Sequence, residues 1–124
     1  MTMRFRRVDR LPEFDRDFKK LEKKLRTLAE DLTTLIDTLL FAFHKLNIEN
    51  EGVKRIDDLG QVRLPVYKVK KFTCKSLKGK GSRTGLRLIY GFDAEKDRIE
   101  LIEIYMKSDK AAEDRDRIKT HYGE

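Results

Sequence analysis

Cysteine, tryptophan and proline are almost missing from this chain: one, none and two in 124 residues. A single thiol, Cys74, cannot close a disulfide within the chain. Nothing therefore calls for an oxidising compartment, and a reducing cytoplasm is the expectation. The two histidines, His44 and His121, stand far apart, and neither has a cysteine or a second histidine beside it. No set at metal-ligand spacing exists, so neither a metal nor another cofactor is expected. No apolar run approaches the roughly 18 residues of a membrane span. The longest cluster, Leu39–Phe43, is far too short. The segment Met1–Arg7 is basic, but no apolar core follows it, so a signal peptide is not expected.

The most informative scarcity is of acids. From Leu59 to Phe92 there is no Asp or Glu, yet the window holds Arg63, Lys68, Lys70, Lys71, Lys75, Lys78, Lys80, Arg83 and Arg87. These nine cations exceed the net charge of the whole chain, +7, so the remaining residues sum to −2. The positive charge sits in one segment rather than over the surface at large. Such a segment favours an acidic partner, either a nucleic acid or an acidic protein. Hydrophobic residues make up 39% and charged residues 41%, enough for one core and one domain over residues 1–124.

The patterning predicts a short first strand over Met3–Val8 and then a helix opened by Pro12. Phe14, Phe18, Leu21 and Leu25 form its apolar stripe. Thr27-Leu28-Ala29-Glu30 reads as a capping box, in which the threonine hydroxyl and the glutamate carboxylate satisfy helix-end N–H groups. It opens a second helix with the stripe Leu32, Leu35, Ile36, Leu39, Leu40 and Phe43. The two helices are expected as an antiparallel hairpin. Val53–Leu64 reads as irregular, with a turn at Gly60. Beyond Pro65, Tyr67 and Val69 share one face of a strand and Lys68 and Lys70 the other. Phe72 and Cys74 fall in phase with the lysines. Either a β-bulge shifts the phase at Lys70-Lys71, or both faces are partly buried. Leu77–Gly85 reads as a long exposed tip, Leu86–Phe92 as the next strand and Ile99–Met106 as a third, buried on both sides. Residues 108–124 read as a loosely docked C-terminal helix, with only Ile118 available for docking.

Order and residues together resemble the RelE/ParE superfamily of toxins from toxin–antitoxin pairs. Phe14–Lys24 looks like the first helix of that family. Val66–Lys70 followed by Gly85–Tyr90 is similar to its central hairpin, and Ile102–Lys107 to its last strand. The resemblance implies an α+β, RelE-like fold: a short N-terminal strand, an antiparallel helix hairpin, a three-stranded antiparallel sheet and a C-terminal helix. It further implies the toxin of a type II pair, an endoribonuclease that cuts messenger RNA at the ribosome by attack of a ribose 2′-OH on the adjacent phosphate. A small acidic antitoxin, mRNA and the ribosome are the implied partners, with no membrane.

That reaction needs a proton acceptor, stabilisation of negative charge on phosphorus, and a proton for the leaving 5′-oxygen. Lysine and arginine can supply all three. Crowded cations ease a lysine's loss of its proton, and arginine offers a fixed fork to phosphate oxygens. By the resemblance, Lys68 and Lys70 match the family's lysine pair and Arg87 its strand arginine, with Lys107 (or Lys110) supplying a further charge. Lys71, Lys75, Lys78, Lys80 and Arg83 are the expected nucleic-acid contacts. Where RelE carries an arginine and a tyrosine after the last strand, this chain has Ser108 and, by position, Asp114. That departure favours an alternative, a ParE-like toxin that inhibits gyrase without chemistry. A basic RNA-binding module is a third reading. His121-Tyr122 has the look of a terminal pair that does acid–base work in some relatives, although there it follows the last strand directly.

Overall fold

The computed structural model describes residues 4–124; the start of the expected first strand, at Met3, lies outside them. The element order is β1 (Arg7–Arg10), α1 (Pro12–Glu22), α2 (Leu28–Leu35), a π-helical turn (Ile36–Leu40), α3 (Phe41–Lys45), β2 (Val53–Arg55), β3 (Val66–Val69), β4 (Leu86–Asp93), β5 (Arg98–Met106) and α4 (Arg115–Tyr122). The strands make one five-stranded sheet in the order β1-β5-β4-β3-β2. The expected three-stranded antiparallel sheet, β3-β4-β5, is its centre. Two edge strands extend it: β1 runs parallel to β5, and β2 antiparallel to β3. Both are short, at four and three residues, which is why their periodicity is hard to read.

Each face of the sheet buries a separate cluster. On one face lie Phe14 and Phe18 of α1, Leu28, Leu32 and Leu35 of α2, and Leu86, Leu88 and Tyr90 of β4. Leu32, Phe14 and Phe18 are thus buried within the chain. On the other face, Ile118 and Tyr122 of α4 pack on Val66, Ile89 and Ile102, with Leu59 and Leu64. The C-terminal helix is therefore firmly docked, against the expectation. Tyr122 is the anchor that the sequence reading lacked: it is fully buried, and its hydroxyl donates to Glu100 Oε1 at 2.9 Å. The acids of α1 also hold this helix, through Asp17 with Arg117 and Glu13 with His121, each at 2.7 Å.

Register explains the double burial of β5. Ile89 pairs with Glu103 but Tyr90 with Leu101, so one extra residue, Ile102, enters β5. This β-bulge moves Ile102 to the α4 face, while Leu101 and Ile104 stay with α1 and α2. No bulge lies at Lys70-Lys71. There β3 ends at Val69, and Phe72 and Cys74 enter the core from an irregular segment.

The capping box is also put to a different use. Helix α2 does begin at Leu28, but Thr27 makes no side-chain cap. Its hydroxyl donates to Asp31 Oδ2 (2.6 Å) and accepts from the Ser76 amide (3.0 Å). Asp31, only 5% exposed, accepts from the Lys75 amide, and Glu30 pairs with Lys75 Nζ. These groups staple the loop after β3 to α2.

His44 lies among Phe43, Tyr67, Tyr90 and Phe92 and shares a 2.7 Å hydrogen bond with the Tyr90 hydroxyl. Burial pushes its pKa from 6.5 down to about 4. The folded chain thus binds a proton there only below the range in which the unfolded chain does. Stability should be fully present above pH 6.5 and should fall as the pH drops from there towards 4. Denaturant midpoints across this range check it, and His44→Phe should flatten the dependence.

Candidate nucleic-acid interface

The α4 face of the sheet also carries the cations. Lys68 sits on β3 in phase with Val66, whose side chain belongs to the α4 cluster, and Lys70 continues that phase just past the strand. On β2, Lys54 pairs directly with Lys68. On β4, Arg87 is in phase with Ile89 and pairs with Tyr105. Its Nη1 donates to the Lys70 carbonyl at 3.0 Å. The structure thus brings Lys68, Lys70 and Arg87 together and adds Lys54. Like charges on directly paired residues repel, so the crowding costs stability and implies an anionic counterpart.

Part of that counterpart is internal. Glu113, in the segment before α4, accepts from Lys68 Nζ at 2.7 Å. The two side chains are 18% and 7% exposed, so this is a largely desolvated pair. Arg115 Nε donates to the other Glu113 oxygen at 3.1 Å. Residues Lys54, Arg55, Asp57, Lys68, Glu113 and Arg115 line a shallow concavity of about 270 Å³, and Lys70 joins them. Lys68 therefore already has a carboxylate partner within the chain.

The two lysines differ as a result. At Lys68, burial opposes the ammonium, but Glu113 and Tyr105 outweigh it and the pKa is raised. At Lys70, desolvation and then the charges of Lys54, Lys68 and Arg87 act together, and the pKa is lowered. Crowding by cations thus eases proton loss at Lys70 and not at Lys68.

Lys107 is exposed just beyond β5, its amide donating to the Gly85 carbonyl at 2.8 Å, in phase with Tyr105. Ser108 is an exposed turn residue. Asp114 caps α4, accepting from the Arg117 amide at 3.0 Å. His121-Tyr122 belongs elsewhere. Tyr122 bonds Glu100, which lies about 15 Å along β5 from Tyr105.

The loop cations form a separate group. Lys71 lies 3.7 Å from Glu51 and Lys75 lies 2.6 Å from Glu30. Lys78, Lys80 and Arg83 are exposed and have no carboxylate partner among the described residues. The tip is anchored rather than loose. Phe72 and Cys74 are buried at its start, and near its end the Thr84 hydroxyl donates to the Phe72 carbonyl at 2.5 Å. Gly85, at φ +84, then turns the chain into β4.

Among the described residues no cluster of His, Cys, Asp and Glu could hold a metal, and no helix is long and apolar enough to cross a membrane. Sequence reasoning missed Lys54, Tyr105, Glu113 and Arg115. Lys54 lies outside the acid-free window, and Glu113 meets Lys68 across 45 residues of sequence, a pairing that no local pattern signals.

No family model and no curated protein matches the chain. In structure it is similar to a chain of the archaeal RelE–RelB complex from Pyrococcus horikoshii OT3, with 14% identity and a TM-score of 0.50, over 85% of this chain and 97% of that one. The likeness establishes an α+β, RelE-like fold.

Proposed function

We propose that the chain is the toxin of a type II toxin–antitoxin pair, a RelE-like endoribonuclease acting on messenger RNA at the ribosome. The observation that carries this reading is the convergence of Lys68, Lys70 and Arg87 on one face of a RelE-like sheet. In the proposed step Lys70, whose pKa is lowered, accepts the ribose 2′-OH proton. The 2′-oxygen bonds to phosphorus and the bond from phosphorus to the 5′-oxygen breaks. Lys68, held protonated, and the Arg87 fork stabilise the charge that develops on the phosphoryl oxygens. Lys68 or Lys107 returns a proton to the 5′-oxygen. The products are a 2′,3′-cyclic phosphate and a 5′-hydroxyl. A small acidic antitoxin is the proposed partner, supported by the similarity to a chain of a RelE–RelB complex.

One observation favours the second reading, a ParE-like gyrase inhibitor. Asp114 is committed to capping α4 and Ser108 is a turn residue, so neither supplies the charge or ring that RelE has there. Inducible expression separates the readings. Translation failing before plasmid supercoiling supports the nuclease, and the reverse order supports gyrase inhibition. A plain RNA-binding module would leave both intact.

The exposed tip should set the salt dependence of RNA binding. Each phosphate neutralised on a single strand contributes a slope of about −0.7 in log affinity against log salt. Replacing Lys78, Lys80 and Arg83 by alanine should flatten the slope by about 2 if each meets one phosphate. Affinity measured from low to moderate salt checks this, and an unchanged slope removes the tip from the interface.

A further inference from the structure

The group facing Lys68 in the folded chain is a carboxylate of the chain itself. The Glu113 side chain is 7% exposed and lies 2.7 Å from the Lys68 ammonium. Its position is not incidental, because the segment that carries it is clamped. Buried Glu103 accepts from the Asp114 amide at 2.8 Å and pairs with Lys110. Arg115 Nη1 donates to the Asp57 carbonyl, and Arg117 Nη1 to the Ile102 carbonyl. Ile118 and Tyr122 bury the helix that follows.

A second observation points to an absent ligand. Tyr105 is 7% exposed, and its hydroxyl completes no well-formed hydrogen bond among the described residues, although the Lys68 ammonium lies beside it. It lies close enough to Lys68 and Glu113 to feel both charges. A buried hydroxyl without a partner costs stability, and such groups mark places where a ligand or water belongs. A carboxylate and a phosphate share the same demand, oxygen acceptors set against a cation and O–H or N–H donors.

We propose that Glu113 is an internal stand-in for a substrate phosphate, occupying the anion seat formed by the Lys68 ammonium and bordered by the Tyr105 hydroxyl. RNA must displace the carboxylate to engage Lys68, so Glu113 sets the affinity of the face. Displacement needs only a rotation of the Glu113 side chain; the clamped backbone stays in place. The vacated seat then offers phosphate both Lys68 and Tyr105. This inference rests on the reading of the face as an RNA site.

The test is binding of a single-stranded RNA made uncleavable by 2′-deoxy substitution, to the full chain and to Glu113→Gln. The variant should bind about tenfold more tightly. Its salt slope should steepen by about 0.7, because Lys68 then neutralises a phosphate rather than Glu113. Tyr105→Phe should weaken binding by the parent and remove part of the gain in the Glu113→Gln background. Glu113→Ala serves as a second variant, and amide exchange at Ile118 reports that α4 stays docked. Affinity and slope unchanged or weaker in both docked variants would overturn the proposal. Lys70→Ala with Arg87→Ala reports on the site itself: their loss of binding while the Glu113 variants gain nothing sinks the inference alone. If no RNA binds at all, the RNA reading falls, and inorganic phosphate decides the inference. Saturable perturbation of the Lys68 side-chain signals in Glu113→Gln but not in the parent supports the seat, and its absence from both refutes it.

Discussion

Replacing Lys68 and Lys70 together by alanine is expected to abolish growth inhibition and to lower RNA cleavage by about 10³-fold or more, since one preorganised charge-stabilising group alone is worth roughly 10²–10³. The geometry adds a condition to this experiment. Lys68→Ala leaves Glu113 in a largely desolvated place with Arg115 as its remaining cation. An under-satisfied buried acceptor costs about 1–3 kcal/mol, so the double variant should also melt earlier. Adding Glu113→Gln should restore most of that stability and none of the activity. Thermal melts and cleavage assays on the double and triple variants separate the two effects. A triple variant with native stability and full toxicity would remove the lysines from the mechanism.

The largest expected stability effect lies at the other end of the same face. Tyr122→Ala should cost about 3–5 kcal/mol, the range for removing a fully buried aromatic side chain. The loss has two parts. The ring packs against Val66, Ile89 and Ile102, and the hydroxyl is the nearest donor to Glu100 Oε1. Arg63, whose guanidinium lies over the ring and 3.4 Å from that carboxylate, loses its platform as well. Tyr122→Phe keeps the packing and should cost about 1–3 kcal/mol, the penalty for an unmatched buried acceptor. Denaturant titration measures both. A small cost for Tyr122→Ala would mean that α4 contributes little to the fold. Undocking should also release the segment that holds Glu113, so RNA binding and stability should move in opposite directions in this variant.

The central hairpin was legible because its signals are local. Pro65 excludes a helix, alternation separates Tyr67 and Val69 from Lys68, and Leu86, Leu88 and Tyr90 mark one face of β4. That reasoning placed Lys68 and Lys70 on one face; register sets Lys68 opposite Ile89, in phase with Arg87, whose guanidinium reaches the Lys70 carbonyl. The edge strand β2 escaped notice, and β1 was expected a few residues early, because three or four residues cannot show a period. The bulge at Ile102 was visible only as apolar residues on both faces of β5, a pattern that central burial also produces. The capping-box residues were found, but their hydroxyl and carboxylates are recruited by a loop some 45 residues away, a tertiary demand that overrides the local motif. The same holds for Glu113. Charge counting identified the surplus of cations, yet the one acid that matters most to Lys68 lies outside the counted window.

The central claim, that this face cleaves RNA by 2′-OH attack, is tested most directly by end-group analysis of RNA incubated with the purified chain and ribosomes. The account predicts fragments ending in a 2′,3′-cyclic phosphate and beginning with a 5′-hydroxyl. Cutting should be absent where the nucleotide 5′ to the scissile bond is 2′-deoxy, and in Lys70→Ala with Arg87→Ala. Intact RNA under conditions where the chain arrests growth would contradict it, as would cleavage that survives 2′-deoxy substitution.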